Sequence, residues 1–230
     1  MFKAAIFDMD GLLLDSERPI KDAWLQVARS NKVALTEADY LRVVGRNETD
    51  GKAILDGLFD QDFSFEDARS CVADLLSESV TARGYAVKPG ALALLSWLNA
   101  RAIPCCVASS TRGIEVRRRL DQSALLAFFS SVCSGDEVAK GKPSPDLFLL
   151  ASERLGVKPE DCLVFEDSEY GAIGALAAGM SAVIVPDLKL PGADMQASCI
   201  AVLPSLEQAL PLCAAWFPAA ENSAHPAGTD

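Results

Sequence analysis

Acidic side chains follow two apolar runs of this 230-residue sequence, at the point where each run ends. Asp8 and Asp10 come directly after the run AAIF, and Glu166 and Asp167 come directly after CLVF. Carboxylates can act as nucleophiles, carry protons or bind a divalent cation. A third apolar run, PCCVA, ends in Ser109, whose hydroxyl can donate a hydrogen bond to an anion. The types of these residues are those of a catalytic site.

A cationic side chain lies in a fourth segment, GKPSP, which precedes a helical pattern and contains Lys142. In open α/β sheets, ligands bind in the crevice beyond the carboxyl ends of the strands. If the apolar runs are parallel strands, the carboxylates, the hydroxyl and the ammonium group converge on one rim. This convergence is the main sequence evidence for a functional site.

Short β-type runs alternate with longer helical runs, which is typical of a parallel sheet with crossover helices. Runs such as CLVF and AVIV lack hydrophobic–polar alternation, as expected for strands covered on both faces. The predicted strands are 3–7, 103–108, 132–133, 162–165, 182–185 and 200–202. The predicted helices between them are 90–101, 113–123, 145–155 and 170–178, with Pro145 in a first turn and Gly156 and Gly179 at helix ends.

One segment interrupts this alternation. Roughly 70 residues separate the first strand from the helix near Gly90, and a single crossover is far shorter. Their apolar residues recur at spacings of three or four, which predicts helices. We therefore expect a helical domain over 16–83 inserted into a core of 1–15 and 84–218. Residues 219–230 are polar and small, which predicts a frayed tail.

The runs FDMDGLLLDSE, VASST, GKPSPDLF and VFEDSEYGAIGALAAGM, in this order, resemble the four motifs of the haloacid dehalogenase superfamily. The closest resemblance is to the branch of sugar-phosphate phosphatases and β-phosphoglucomutase, and it extends from residue 2 to about 203. It implies a Rossmann-like α/β core with an inserted α-helical cap domain, which agrees with the predicted insert. It also implies a magnesium-dependent phosphatase that acts on a small phosphorylated metabolite, such as a sugar phosphate.

The resemblance assigns roles to the four acids. Asp8 would attack phosphorus and form an aspartyl-phosphate, which divides one difficult displacement into two easier ones. Asp10 would protonate the leaving alcohol and then deprotonate water. Mg²⁺ would be bound by Asp8, Asp167 and the backbone carbonyl of Asp10, because a few oxygen ligands suit this ion. Glu166 would orient the water ligands of the metal.

The same resemblance suggests residues that bind the phosphate ester. Ser109 and Lys142 would hold the transferring phosphoryl group. Ser110 is a further substrate-binding candidate, and Arg46, in a predicted turn of the insert, could bind a second anionic group. Arg112 could reach the substrate or could join an exposed basic face with Arg117, Arg118 and Arg119. Further candidates beside the core–insert junction are Glu17 and Arg18.

The motif residues also bear on three alternative functions. A dehalogenase is disfavoured, since that activity lacks the second aspartate of the first motif, and Asp10 is present here. A phosphomutase of the β-phosphoglucomutase type is the main alternative, but Ile20 stands where that branch has a cap histidine. A catalytically silent binding or regulatory scaffold is the alternative from another class, although all the motif residues are intact.

Composition excludes several partners. The formal net charge of −11 repels a phosphate backbone, so we expect no nucleic-acid binding. No apolar run approaches the roughly 20 residues of a membrane span, and the start MFKAAIFDMDG is unlike a signal peptide. The seven cysteines show no zinc-type spacing, which favours a reducing compartment. We therefore expect a soluble cytoplasmic monomer whose partner is a small phosphate ester.

Overall fold

A computed structural model describes residues 1–44, 46, 48–59, 63–80 and 84–218. Its centre is a six-stranded sheet in the order β3-β2-β1-β4-β5-β6, and each neighbouring pair of strands is parallel. The predicted parallel α/β sheet is thus confirmed. The strands are β1 (Ala4–Phe7), β2 (Cys105–Ser109), β3 (Ser131–Ser134), β4 (Cys162–Glu166), β5 (Ser181–Ile184) and β6 (Ala201–Val202).

The central strands are buried on both faces. Ala5 and Phe7 of β1 belong to one hydrophobic cluster, whereas Ala4 and Ile6 belong to the cluster on the opposite face. Phe7 stacks on Phe165 of β4 with the ring centroids 4.8 Å apart. Burial on both faces explains why these strands read as continuous apolar runs rather than as alternating ones.

Helices cover both faces of the sheet, close to the predicted positions. Gly156 ends one of them with φ of 65°, as the sequence predicted. The second strand begins two residues later than expected, because Pro104 has no N–H to donate to the sheet. The core helices are α5 (Ala91–Asn99), α6 (Gly113–Gln122), α7 (Asp146–Leu155), α8 (Glu169–Ala177), α9 (Ala193–Ser198) and α10 (Leu210–Trp216), and those of the insert are α1 (Glu17–Ser30), α2 (Glu37–Tyr40), α3 (Glu48–Leu55) and α4 (Phe65–Val80).

The insert packs around apolar clusters of its own. Ala23 and Val27 of α1 lie against Ala68 and Val72 of α4. The two chain connections to the core run side by side, since Leu14 and Val87 form an antiparallel bridge. The structure thus supports a separate helical unit, and the division into domains at 16–83 stays a prediction. The predicted tail, 219–230, lies outside the described residues.

Within the described part of the chain, no helix combines the length and the apolar character needed to cross a membrane.

Candidate active site

The carboxyl edge of the sheet positions the acids that follow β1 and β4. Asp8 comes one residue after β1, and its backbone N–H donates to the carbonyl of Phe165 at 3.0 Å. Glu166 is the last residue of β4, and Asp167 follows it. Because β1 and β4 are paired in parallel, their ends lie next to each other. The predicted convergence of these acids is therefore observed.

Asp8, Glu166 and Asp167 form a buried acidic cluster. One carboxylate oxygen of each lies within 4.8 Å of the corresponding oxygens of the other two. Lys142, only 2% exposed, places its Nζ 2.5 Å from Asp8 Oδ1 and 2.5 Å from Glu166 Oε1. These four side chains therefore bring three acids and one cation together.

The buried ionisable groups shift one another's pKa values. Burial is the largest cause that raises the pKa of Asp8 and Asp167 well above the usual range. The charge of Glu166 raises both pKa values further, and the charge of Asp8 adds to the shift of Asp167. Burial alone would lower the pKa of Lys142, but Asp8 and Glu166 raise it above its ordinary value. The two acids therefore favour the charged form of Lys142, whereas burial opposes the charged forms of Asp8 and Asp167.

The donor atoms of this cluster suit a hard divalent cation. All three are carboxylate oxygens, and Mg²⁺ prefers a few such ligands together with water and phosphate oxygens. A cation would also favour the charged forms of Asp8 and Asp167, which burial and, to a smaller extent, the neighbouring acids oppose. The residues present therefore fit the predicted Mg²⁺, with Glu166 close enough to take part directly.

The side chain of Asp10 points into a different environment from that of the acidic cluster. Its carboxylate accepts hydrogen bonds from Ser16 Oγ at 2.6 Å and Thr111 Oγ1 at 2.8 Å. It also pairs with Arg119 Nη1 at 2.7 Å and lies 3.4 Å from Ser109 Oγ. Among the described residues, the metal-type group does not include the Asp10 side chain. The resemblance suggested the backbone carbonyl of Asp10 as a metal ligand, and this carbonyl is the only atom of Asp10 that we retain in that role.

The alternative of an exposed basic face agrees with the structure for Arg112, Arg117 and Arg118, which are exposed, and is wrong for Arg119. The Arg119 side chain is only 14% exposed and binds Asp10. Val116 and Leu120 mark the buried side of α6, and Arg119 is three residues after the first of them. A helix brings residues three or four apart to one side, so this spacing was a usable signal. Thr111 also binds Asp10, a contact that no local sequence pattern indicated.

Hydroxyl groups follow β2 beside the acids. Ser109 is 1% exposed, and its Oγ accepts a hydrogen bond from the backbone N–H of Thr111 at 3.1 Å. Ser110 Oγ is buried and has no hydrogen-bond partner among the residues that the structure describes. An unsatisfied buried hydroxyl is costly, so a ligand oxygen is a fitting partner for it.

These groups enclose one small cavity of about 80 Å³. It opens beside a larger cavity of about 500 Å³ between the insert and α8, and the two share Arg46, Asp167 and Ser168. The small cavity is lined by Asp8, Asp10, Glu17, Arg46, Ser109, Ser110, Thr111, Lys142, Asp167 and Ser168.

The two arginine candidates have different positions. Arg46 of the insert lines both cavities described above. Arg112 is exposed and lines a third cavity, of about 690 Å³, between α6 and the insert. Of the two predicted substrate-binding arginines, the structure thus brings Arg46 to the acids and leaves Arg112 outside their cavity. Gly45 and Asn47, which complete the predicted turn, lie outside the described residues.

Glu17, at the start of α1, holds its proton unusually well. Burial raises the pKa of Glu17 from 4.5 to about 8, with further contributions from Asp10 and Asp187. The unfolded chain loses this proton near the ordinary value, whereas the folded chain keeps it up to the raised value. The unfolded state thus releases a proton first, and this residue makes the fold less stable as pH rises between the two values.

We predict that Glu17→Gln removes this pH dependence. In the absence of divalent cations, the variant should be more stable than the unaltered protein at about pH 8 and similar to it at about pH 5. Denaturant titrations at both pH values measure the difference. A variant that is less stable at the higher pH would contradict the assigned protonation state.

The helix after Asp167 begins very close to the acids. Ser168 caps α8, since its Oγ accepts a hydrogen bond from the backbone N–H of Gly171 at 3.1 Å. A Cβ on Gly171 would lie 2.0 Å from the carboxyl carbon of Glu166. A Cβ on Gly11, whose φ is 82°, would lie 2.3 Å from Asp167 Oδ2. Both glycines therefore allow the backbone to approach the cluster.

We predict that Gly171→Ala lowers the free energy of unfolding by about 1–3 kcal/mol, since the methyl group must displace Glu166 or α8. A loss of stability would be informative, because alanine normally stabilises a helix interior relative to glycine. Gly57→Ala is the matched control, as a Cβ there meets nothing within 4 Å. Equal stabilities of the two variants in a thermal melt would show that the contact with Glu166 is not tight.

Known proteins resemble this chain over most of its length. The family described as haloacid dehalogenase-like hydrolase matches residues 2–179. A phosphorylated carbohydrates phosphatase of Thermotoga maritima is 33% identical over 211 residues, which cover 87% of this chain and 94% of that protein. A crystal structure from Thermotoga maritima, provisionally named a β-phosphoglucomutase, is 32% identical with a TM-score of 0.72 and covers 92% of this chain and 98% of its own.

A third relative carries a ligand. The crystal structure of a HAD family hydrolase from Deinococcus radiodurans R1, with bound phosphate and sodium, is 26% identical with a TM-score of 0.72. The similarity covers 95% of this chain and 99% of that one. With the site geometry, these similarities establish that the chain belongs to the haloacid dehalogenase-like hydrolase family and is an enzyme of the hydrolase class.

Proposed function

We propose that the protein is a magnesium-dependent phosphatase that hydrolyses a small phosphorylated metabolite, a sugar phosphate, through an aspartyl-phosphate on Asp8. The observation that carries this proposal is the position of Asp8. Its carboxylate lies at the end of a buried strand, forms a salt bridge with Lys142 and lies next to Glu166 and Asp167. The phosphatase names among relatives that cover most of the chain support the same reaction.

The metal-binding residues in this proposal are Asp8, Asp167 and the backbone carbonyl of Asp10, with Glu166 beside them. When bound, Mg²⁺ would neutralise part of the charge on these carboxylates and on the phosphoryl oxygens. Without such neutralisation, the anionic substrate would be repelled by the acids. Lys142 supplies the remaining positive charge at the nucleophile.

In the first step, a carboxylate oxygen of Asp8 attacks phosphorus, and the bond between phosphorus and the leaving oxygen breaks. Asp10 acts here from its protonated form and gives its proton to that oxygen, which leaves as an alcohol. The contacts with Arg119, Ser16 and Thr111 then stabilise the Asp10 carboxylate that results. In the second step, Asp10 takes a proton from water, whose oxygen attacks phosphorus. The bond to Asp8 then breaks, which releases phosphate and restores the Asp8 carboxylate.

The hydroxyls and the ammonium group hold the phosphoryl oxygens during both steps. Ser109 and Ser110 lie at the end of β2, on the opposite side of β1 from Asp167. The unpartnered Oγ of Ser110 is a donor that the phosphoryl group can satisfy. Rigid donors placed where charge develops stabilise the transition state more than flexible ones.

The insert is proposed to act as a cap that closes over the site. Arg46 of the insert lines the same small cavity as Asp8 and Asp167. Closure would exclude bulk water during the first step, and opening would release the products.

A phosphomutase remains the alternative within the same chemistry. Ile20, at the position where the mutase branch has a histidine, lines the third cavity rather than the one around Asp8. The only histidine, His225, lies outside the described residues. A mutase would interconvert hexose phosphates when primed by a bisphosphate, without net phosphate release. A silent scaffold would bind Mg²⁺ and release no phosphate from any ester.

We predict that phosphate release from p-nitrophenyl phosphate and from a panel of sugar phosphates requires Mg²⁺ and stops when EDTA is added. Asp167→Asn should lower turnover by about 10²-fold or more, with partial recovery at high Mg²⁺, because a ligand of the ion is weakened. A colorimetric phosphate assay measures both effects. Full activity in EDTA, or no phosphate release from the whole panel, would exclude this function.

A further inference from the structure

Tyr170 contacts Arg46 across the gap between the core and the insert. The guanidinium carbon of Arg46 lies 4.2 Å from the centroid of the Tyr170 ring, and its Nη2 donates a hydrogen bond to the Tyr170 hydroxyl. Arg46 Nε donates to the carbonyl of Arg42 at 3.1 Å. The arginine is thus held on one face by the ring and along one edge by two hydrogen bonds.

Tyr170 is itself firmly placed. It is the second residue of α8, three residues after Asp167, and the helix is capped by Ser168. Its side chain lines the cavity of about 500 Å³, next to the small cavity around Asp8. Arg46 lines both cavities, so the contact lies at their junction. A rigid element of the core therefore fixes a cation of the insert at the mouth of the catalytic cavity.

We propose that Tyr170 is a positioning residue that holds Arg46 where its free N–H groups reach an anion in the small cavity. A free arginine side chain loses rotamer entropy when it binds an anion, whereas a stacked arginine has lost much of it already. The contact also joins the insert to the core, so it favours the closed arrangement. The effect on turnover rests on the proposed phosphatase function, but the effect on anion binding does not.

Two cations, Arg46 and Lys142, line the small cavity. Four acids also line it, and they are Asp8, Asp10, Glu17 and Asp167. Lys142 is already paired with Asp8 and Glu166, so Arg46 is the cation whose position most affects whether an anion can be held there. Within the part of the chain that the structure describes, Nε and Nη2 of Arg46 already have hydrogen-bond partners, which leaves Nη1 for the ligand.

The test is a double-mutant cycle with Tyr170→Ala and Arg46→Ala, read first by calorimetric binding of inorganic phosphate in the presence of Mg²⁺. We expect Tyr170→Ala to weaken phosphate binding about tenfold and Arg46→Ala at least as much. Adding Tyr170→Ala to Arg46→Ala should then change the dissociation constant by less than about twofold. Tyr170→Phe keeps the ring and loses the hydroxyl, so about a threefold loss is expected.

Ile173→Ala is the matched control, because Ile173 lies one turn later on α8 and lines the same large cavity. It should leave phosphate binding unchanged. In turnover assays, Tyr170→Ala should raise KM for the ester by a factor similar to its effect on phosphate binding, with a smaller change in kcat. Circular dichroism should show the same helix content in every variant.

Additive losses in the double variant would overturn the inference, because Tyr170 would then act independently of Arg46. Unchanged phosphate binding in Arg46→Ala would also overturn it. If the cycle is non-additive but the unaltered protein hydrolyses no ester, the proposed phosphatase function fails and the positioning role stands. If esters are hydrolysed but the cycle is additive, the proposed phosphatase function stands and the positioning role of Tyr170 fails.

Discussion

Asp8→Asn is expected to lower phosphate release by about 10⁴-fold or more, because an amide cannot replace the carboxylate as the attacking group. The side chain keeps its shape, so the site should otherwise persist. The loss should not be recovered by added Mg²⁺, unlike the loss in Asp167→Asn. Steady-state assays with the same esters measure the effect.

The fold of this variant should remain intact. Burial raises the pKa of Asp8, which means that the charged carboxylate is disfavoured at this position. A neutral amide avoids the cost of a buried charge at this position, so without Mg²⁺ the variant should be at least as stable as the unaltered protein. The exposed Asp121→Asn is the control and should leave both activity and stability unchanged. Turnover in Asp8→Asn within tenfold of normal would refute covalent catalysis at this residue.

Lys142→Met is expected to lower the free energy of unfolding by about 3–5 kcal/mol and to abolish turnover. Lys142 is 2% exposed, and it is the cation that contacts both Asp8 and Glu166. Methionine fills similar space but leaves the buried carboxylates without this partner. The loss of stability should shrink at low pH, where the carboxylates take up protons, and on addition of Mg²⁺.

The control for this variant is Lys140→Met, two residues earlier on the chain and exposed. Changes at such surface positions are usually within about 0.5 kcal/mol. Denaturant titrations with and without Mg²⁺ compare the two variants. If both lose equally little stability, Lys142 does not compensate the acidic cluster.

Much of the fold was predictable because its signals are local. The strands are covered on both faces, and continuous apolar runs such as CLVF reveal such strands directly. Once the strands are known to be parallel, their carboxyl ends must meet, which brings Asp8, Ser109 and Asp167 to one edge. The insert was predictable from length alone, since a single crossover cannot use so many residues.

The rest of the site depends on contacts between distant segments. Arg119 reaches Asp10 from 109 residues away, and Arg46 reaches Tyr170 from 124 residues away. No local pattern specifies which of several arginines makes such a contact. Arg112, adjacent to the second motif, is exposed because it stands just before α6, outside the small cavity. The packing of α6 and of the insert therefore decides which arginine reaches the site.

The most direct test of the central claim is to trap the phosphorylated enzyme. The protein is mixed with an excess of phosphate ester and Mg²⁺, quenched in acid and reduced with borohydride, which converts an aspartyl-phosphate to homoserine. Peptide mass spectrometry then locates the modified residue. We predict homoserine at position 8 and at no other acidic position. Homoserine at Asp10 or Asp167, or its absence from a rapidly quenched active enzyme, would contradict Asp8 as the nucleophile.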